Sequence, residues 1–344
     1  LNTPKVRKLH GLGRYVCIFF HACFILLTSV RLTERSEQKK GTLRGHPRIL
    51  LAMHPVNRRR FLKTSALAAG SLLSAWPRAF ARPPASPLRL GGPVFLKNDD
   101  PESLAREYRR LGYSAAYAPE VSLNDRVRIE AIRKAFAAEN VLLAEVGAWV
   151  NLLDADPAKR RQNLQYVTER LALADELGAL ACVDIAGSFN PRQWDGPDPR
   201  NVTNLFFEAT VENCQKILDA VKPVRAKFCL EMMGWSLPDS PDAYLRFIRA
   251  IDRPGFGAHV DVANLVNSPS RYYDNTGLIK ETFRKLGRWV VSAHAKDVVG
   301  KDVHLTETVP GRGGLDYGTY LREVTSLGRE VPLLLEHLRS PEEY

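Results

Sequence analysis

A single-domain (β/α)₈ barrel is the fold class this sequence predicts, and three observations predict it. Short apolar runs alternate with helical patterns from Leu88 to the end of the chain. Four of these runs, Phe228–Glu231, Gly257–Asp261, Val290–His294 and Pro332–Glu336, stop on a carboxylate or an imidazole. The steps between those end residues are 30, 33 and 42 positions, about what one strand, loop and crossover helix occupy. The carboxyl ends of all strands in a barrel converge on one face, so Glu231, Asp261, His294 and Glu336 are expected to point at one another there.

The elements follow in order. Leu88–Leu96 reads as the first strand, and Glu102–Leu111 as a helix stopped by Gly112. Tyr113–Tyr117 is the second strand, Asn124–Glu139 the second helix and Val141–Val146 the third strand. Pro157–Leu177 is a long amphipathic helix ending at Gly178, followed by the fourth strand, Ala181–Ile185, and a helix over Val202–Val221. The four strands named above complete the set, with helices at Pro241–Ile251, Gly277–Leu286 and Tyr317–Leu327. The strand runs are apolar without alternation, as parallel strands covered on both faces require.

At 45% hydrophobic residues the chain can bury a core, while its formal charge of +11 invites a nucleic-acid reading. Charge counted by segment removes that reading. Residues 1–81 hold 15 Lys/Arg and 2 acids, leaving 34 Lys/Arg and 36 acids from Arg82 onward, so the body has no basic footprint for a phosphate backbone. Residues 53–81 read as a twin-arginine export signal: Asn57-Arg58-Arg59-Arg60-Phe61-Leu62-Lys63, an Ala-rich apolar run from Thr64 to Trp76, then the small-x-small site Ala79-Phe80-Ala81. This predicts a bacterial protein handed folded to the export machinery, cut after Ala81, and periplasmic or secreted. A proline-rich linker covers 82–87. Residues 1–52 precede the first methionine, Met53, and read as an upstream non-native extension, with a short apolar anchor at Val16–Val30 as the alternative; fifteen residues are few for a membrane span. The mature domain is not expected to be membrane-bound. Of five cysteines, Cys17 and Cys23 lie in the leader; Cys182 and Cys229 sit in strands, Cys214 sits on a helix, and no structural disulfide is expected.

A carboxylate closing a buried strand must be paired or bound. Glu231 and Asp261 are therefore metal ligands or ion-pair partners of an inward Lys or Arg. Three carboxylates and one imidazole suit Mn²⁺ first, with Mg²⁺, Co²⁺ or Zn²⁺ as alternatives. His259, two residues before Asp261, faces the same side one layer deeper and reads as a core histidine. Lys296 either binds a substrate oxygen or phosphate or pairs Asp261 or Asp297. His337 points away and reads as structural. Glu145, Trp149, Asn151, Asp184 and Trp235 line the same face; a Trp there stacks on a sugar or caps the core. Gly311-Arg312-Gly313-Gly314 reads as a mobile lid or plain turn, since a phosphate cradle would need a following Lys-Ser/Thr.

The order Glu, Asp, His, Glu, set in LEMMGW, HVDVANLVNSP, SAHAKD and LLLEHL, resembles the sugar phosphate isomerase/epimerase family of xylose-isomerase-like TIM barrels over roughly residues 88–344. The resemblance implies a metal-dependent isomerase or epimerase acting on a sugar or keto-sugar through an enediolate, with Glu231 and Glu336 as the acid/base pair. Asn264 stands where many family epimerases have histidine, and Gly300 where an arginine often follows the histidine ligand. Both departures touch substrate contacts, which keeps a lyase or dehydratase on a keto-sugar or keto-glycoside, or a non-catalytic sugar-binding barrel, as alternatives. An apurinic endonuclease shares the barrel but needs a larger, histidine-rich zinc set. A two-carboxylate glycosidase would leave Asp261 and His294 unexplained. Relatives of this kind continue with a final helix, of which Pro341-Glu342-Glu343-Tyr344 would be the first residues; a truncated helix is expected to leave apolar surface uncovered.

Overall fold

Eight apolar segments pair side by side, each parallel to its neighbours, and close on themselves. A computed structural model describes residues 88–97 and 99–344; the leader, export signal and linker expected over 1–87 lie outside the described residues, as do Cys17 and Cys23. The barrel strands are β1 (Arg89–Gly91), β2 (Ala115–Tyr117), β3 (Leu142–Gly147), β4 (Ala181–Asp184), β5 (Lys227–Leu230), β6 (Phe256–Val260), β7 (Val290–Ala295) and β10 (Pro332–Leu335), in the closed order β1-β10-β7-β6-β5-β4-β3-β2. This is the expected (β/α)₈ fold.

The helices are α1 (Pro101–Arg110), α2 (Arg126–Ala138), α3 (Pro157–Leu177), α4 (Asn204–Val221), α5 (Pro241–Ile251), two short turns α6 (Val262–Leu265) and α7 (Pro269–Tyr273), then α8 (Asn275–Leu286) and α9 (Tyr317–Thr325). Their starts are set by side chains that accept orphan backbone N–H groups, such as Asp125 from Arg128, Asp156 from Ala158 and Ser240 from Ala243. Their apolar stripes pack on the outside of the barrel wall, where Ile132, Phe136, Leu171, Phe206, Ile217, Phe247 and Phe283 are all buried.

Two of these helices place the strand ends. Tyr244 of α5 donates its hydroxyl to Leu230 O (2.7 Å) and accepts from Leu230 N (3.1 Å), at the last residue before Glu231. Tyr320 of α9 donates to His294 O at 2.8 Å. A buried phenol aimed at backbone sets where a strand ends to within a hydrogen bond.

Several boundaries differ from the sequence reading. The first strand stops at Gly91 instead of Leu96: Pro93 has no N–H to give a neighbour, and Phe95 and Leu96 are exposed. A 3₁₀ turn at Pro199–Val202 precedes α4, which therefore starts two residues late. An antiparallel hairpin absent from the sequence reading, β8 (Asp297–Lys301) and β9 (His304–Thr308), follows β7 after Lys296 alone. Beyond β10 the described chain makes a 3₁₀ turn, Pro341–Glu343, and Tyr344 packs its ring 5.7 Å from that of Phe95. Among the described residues no helix is long and apolar enough to cross a membrane. Cys182, Cys214 and Cys229 are buried free thiols.

The glycine run Gly311–Gly314 is organised by one carboxylate. Asp297, fully buried at the head of β8, accepts N–H groups from Val298 (2.8 Å), Gly311 (3.0 Å), Gly313 (2.9 Å) and Leu315 (3.0 Å). A Cβ on Gly313 would meet Asp297 Oδ1 and Val298 O at 2.3 Å, so only glycine lets the loop wrap this closely. The loop is thus anchored, as the plain turn among the two expectations requires. Removing the acceptor strands several N–H groups at about 1 to 3 kcal/mol each where they stay dry. Asp297→Ala should lower unfolding stability by about 3 kcal/mol or more in urea titration and raise amide exchange over 309–315; unchanged stability would show that the carboxylate does not anchor the loop.

Candidate metal centre

Each of the four strand-end residues arrives at the carboxyl face for a local reason. Glu231 follows β5 directly, held by its N–H to Asp184 O at 2.8 Å. Asp261 follows β6 and caps α6, taking Asn264 N–H on Oδ1 at 3.1 Å, which leaves Oδ2 facing inward. His294 is within β7, and Glu336 follows β10. One ligand atom from each of Glu231, Asp261, His294 and Glu336 lies within 4.8 Å of those of the other three. His294 Nδ1 is 3.3 Å from Glu231 Oε1 and 2.8 Å from Glu336 Oε2, so it is the nitrogen that faces the set.

Behind His294 lies a second buried layer. Its Nε2 is 3.1 Å from Glu145 Oε1 and 3.4 Å from the Tyr117 hydroxyl. Ser292 Oγ donates toward Glu145 Oε2 at 3.3 Å and meets His259 Nδ1 at 2.7 Å, and the rings of His259 and His294 stand 4.1 Å apart. Glu145, His259 and His294 form a second group with ligand atoms within 4.8 Å of one another. His259 is only half satisfied, since its Nε2 has no hydrogen-bond partner; burial, with His294 beside it, pushes its pKa well below the usual value.

Lys296 pairs Asp261, one of the partners expected for it, and Glu336 as well. Its Nζ is 2.9 Å from Asp261 Oδ2 and 3.0 Å from Glu336 Oε2, with Glu307 Oε2 of β9 at 3.7 Å and Glu231 Oε1 at 3.9 Å. Burial opposes the ammonium, yet Asp261, Glu231 and Glu336 hold its pKa above the ordinary lysine value. His337 does not point away. It sits at φ +56, with Nδ1 2.7 Å from Glu307 Oε1 and Nε2 3.1 Å from Glu336 Oε1, and these two bonds push it up to about 10.

The residues present fit a divalent cation. Asp261 Oδ2 and Glu336 Oε2 are buried with only charged side chains close by, Lys296 Nζ at 2.9 Å and 3.0 Å and, for Glu336 Oε2, His294 Nδ1 at 2.8 Å. Four carboxylates, Glu145, Glu231, Asp261 and Glu336, surround one ammonium, Lys296, and the imidazole of His294. The deficit shows in Glu231, which burial and the Glu336 carboxylate push up to about 7. Burial acts on Glu336 in the same sense, but His294, His337 and Lys296 outweigh it and hold Glu336 well below the carboxylate range. A 2+ charge among these oxygens would relieve the deficit. Oxygen donors with one imidazole differ from the thiolate-rich sets of structural zinc.

The remaining expected site residues divide. Glu145 is wholly buried behind His294, so its place is under the centre and not at a substrate face. Asn264 Nδ2 donates to Glu231 Oε1 (3.2 Å) and Met232 O (2.9 Å), which makes it a brace for Glu231. Trp149 stands at the rim with its ring 6.2 Å from that of His294, and Trp235 lies farther out in an open cleft. Asn151 and Asp184 serve backbone: Asn151 accepts from Leu153 and Ser188, Asp184 from Val150 and Ile185. Sequence reasoning missed Tyr117, Ser292 and Glu307. The first closes β2 and the second precedes His294 by one strand period, so both carried the signal already used for the ligands; Glu307 sits on a hairpin that had none.

Residues 100–344 match the model of the xylose isomerase-like TIM barrels, and the chain belongs to that family. Comparison with curated proteins finds no match. Among solved structures the chain is similar to endonuclease IV from Thermus thermophilus (TM-score 0.58, 19% identity, covering 74% of this chain and 94% of that one). It is also similar to 3-keto-D-glucoside 4-epimerase from E. coli (0.56, 14%, 75% and 95%). A third is a xylose isomerase-like TIM barrel protein from Mycobacterium smegmatis in complex with magnesium (0.51, 20%, 70% and 82%). At these identities the likeness is one of fold.

A carboxylate on the far nitrogen of a ligating histidine fixes its tautomer and orientation, and losing one typically weakens metal binding roughly 10- to 100-fold. Glu145→Gln should therefore weaken Mn²⁺ binding by about that factor in isothermal titration. Unchanged affinity would separate the buried layer from the centre.

Proposed function

We propose that the protein is a metal-dependent isomerase or epimerase that moves a proton on a sugar or keto-sugar through an enediolate, with Glu231 and Glu336 as the acid/base pair. The observation that carries this reading is the placement of the two glutamates. β5 and β10 flank β6 and β7 in the wall, so Glu231 and Glu336 reach the set from either side of Asp261 and His294, and both come within hydrogen-bond range of His294 Nδ1. Two carboxylates so disposed can remove a proton on one side of a bound carbon and return one on the other.

Asp261, His294 and the two glutamates would hold one divalent ion, Mn²⁺ first and Mg²⁺, Co²⁺ or Zn²⁺ as alternatives, which supplies the positive charge that a developing enediolate needs. Lys296 adds an ammonium 3.0 Å from Glu336, and it would bind a substrate oxygen there. Asn264 orients Glu231, and His337 with Glu307 orients Glu336. Trp149 gives an apolar wall at the rim. The epimerase and magnesium-bound neighbours support the reaction class and the metal. The acidic balance of residues 82–344 speaks against the nuclease chemistry of endonuclease IV. Arg58-Arg59 and the small-residue site ending at Ala81 support export to the periplasm through the twin-arginine machinery.

The test is exchange of deuterium from solvent into candidate keto-sugars with Mn²⁺ present. Glu231→Gln and Glu336→Gln should each lose exchange by about 100-fold or more, the scale of general acid/base catalysis. Full exchange in either variant removes that carboxylate from the role, and β-elimination products in place of exchanged sugar would make the enzyme a lyase.

A further inference from the structure

A cleft of about 820 Å³ opens beside the metal centre, between the loop after β5, the short helix α7 and the hairpin β8–β9. It shares two wall residues with the surroundings of the centre. Asn264 lines it and donates to Glu231, while Glu307 lines it and lies 3.7 Å from Lys296 Nζ. The volume is in the range of sites for drug-sized molecules and exceeds what one sugar ring fills.

The cleft is built with firm walls. Tyr272 of α7 packs against the hairpin and the glycine loop: a Cβ on Gly314 would meet its hydroxyl at 2.6 Å, and Gly300 lies against the same ring. Asn275 ties the two sides by donating to Tyr272 O (2.8 Å) and Gly314 O (2.9 Å). Two large aromatic rings nevertheless remain open to solvent in this cleft, Trp235 at 69% and Tyr273 at 84% exposure. Aromatic faces beside a polar centre are surfaces on which sugar rings can stack. The charged lining is mixed, with Lys301 and His304 against Asp302 and Glu307, so it favours a neutral occupant over a phosphate.

We propose that this cleft is a subsite for a second ring of the substrate, so that the substrate class is a glycoside or disaccharide and not a free or phosphorylated monosaccharide. The proposal rests on the reading of the centre as a sugar site. Trp235 and Tyr273 would take the second ring, while the first ring lies over Glu231, Lys296 and Glu336. The hairpin, which sets the far wall, then determines how large a second group is accepted.

Binding of glucose and of cellobiose to the Mn²⁺-loaded protein, followed by isothermal titration, tests this without relying on turnover. Cellobiose should bind at least tenfold tighter than glucose, about 1.4 kcal/mol. That ratio should fall toward one in Trp235→Ala and in Tyr273→Ala, whose melting temperatures should match the parent because both rings are exposed. Equal affinities for the two sugars, no binding of either, or a ratio that survives both substitutions overturns the subsite. A retained tenfold preference together with no deuterium exchange would instead sink the isomerase reading and leave the subsite standing.

Discussion

The constraint on which the structure depends is the burial of opposite charges at one end of a barrel. Isolated carboxylates are expensive to bring out of water, and here Glu145, Glu231, Asp261 and Glu336 are drawn together around His294 and Lys296. Each could be replaced by an apolar residue with less cost to folding. Three of them directly follow β5, β6 and β10 and Glu145 lies within β3, and the positive charge that offsets them on the chain itself is that of Lys296.

Two layers of support keep that arrangement in place. Beneath it, Glu145, Ser292, His259 and Tyr117 hold the far side of His294. Around it, Asn264 braces Glu231, and His337 with Glu307 braces Glu336. The helices contribute at a distance, because the phenols of Tyr244 and Tyr320 set where β5 and β7 end. Position is thereby decided by packing outside the wall and polarity by the residues inside it, which is how one barrel can keep its core while its rim changes chemistry.

The fold was legible because strand runs, helical periods and cap residues agreed with one another along the whole body. The four ligand candidates were legible for a narrower reason: a charge that ends an apolar strand stands out. Where that signal was absent, reading failed. Asp297 read as a possible partner of Lys296 but anchors the glycine run, because its four backbone partners come from 1 to 18 residues away and only the fold gathers them. The hairpin β8–β9 is polar and exposed on most of its length, so its residues showed neither a buried run nor a helical period. Glu145 was seen but misplaced by one layer, since alternation along β3 gives the face of a side chain and not its depth. His337 was assigned outward by the same alternation, which its left-handed backbone breaks.

One cation shared by Glu231, Asp261, His294 and Glu336 underlies the proposed chemistry from end to end. Diffraction from crystals grown with Mn²⁺, recorded at the manganese absorption edge, tests it most directly. A single strong anomalous peak is expected within bonding distance of both glutamates, Asp261 and Nδ1 of His294, with the Lys296 ammonium outside the coordination sphere. A peak elsewhere, or none with Lys296 filling the space between the carboxylates, would contradict it.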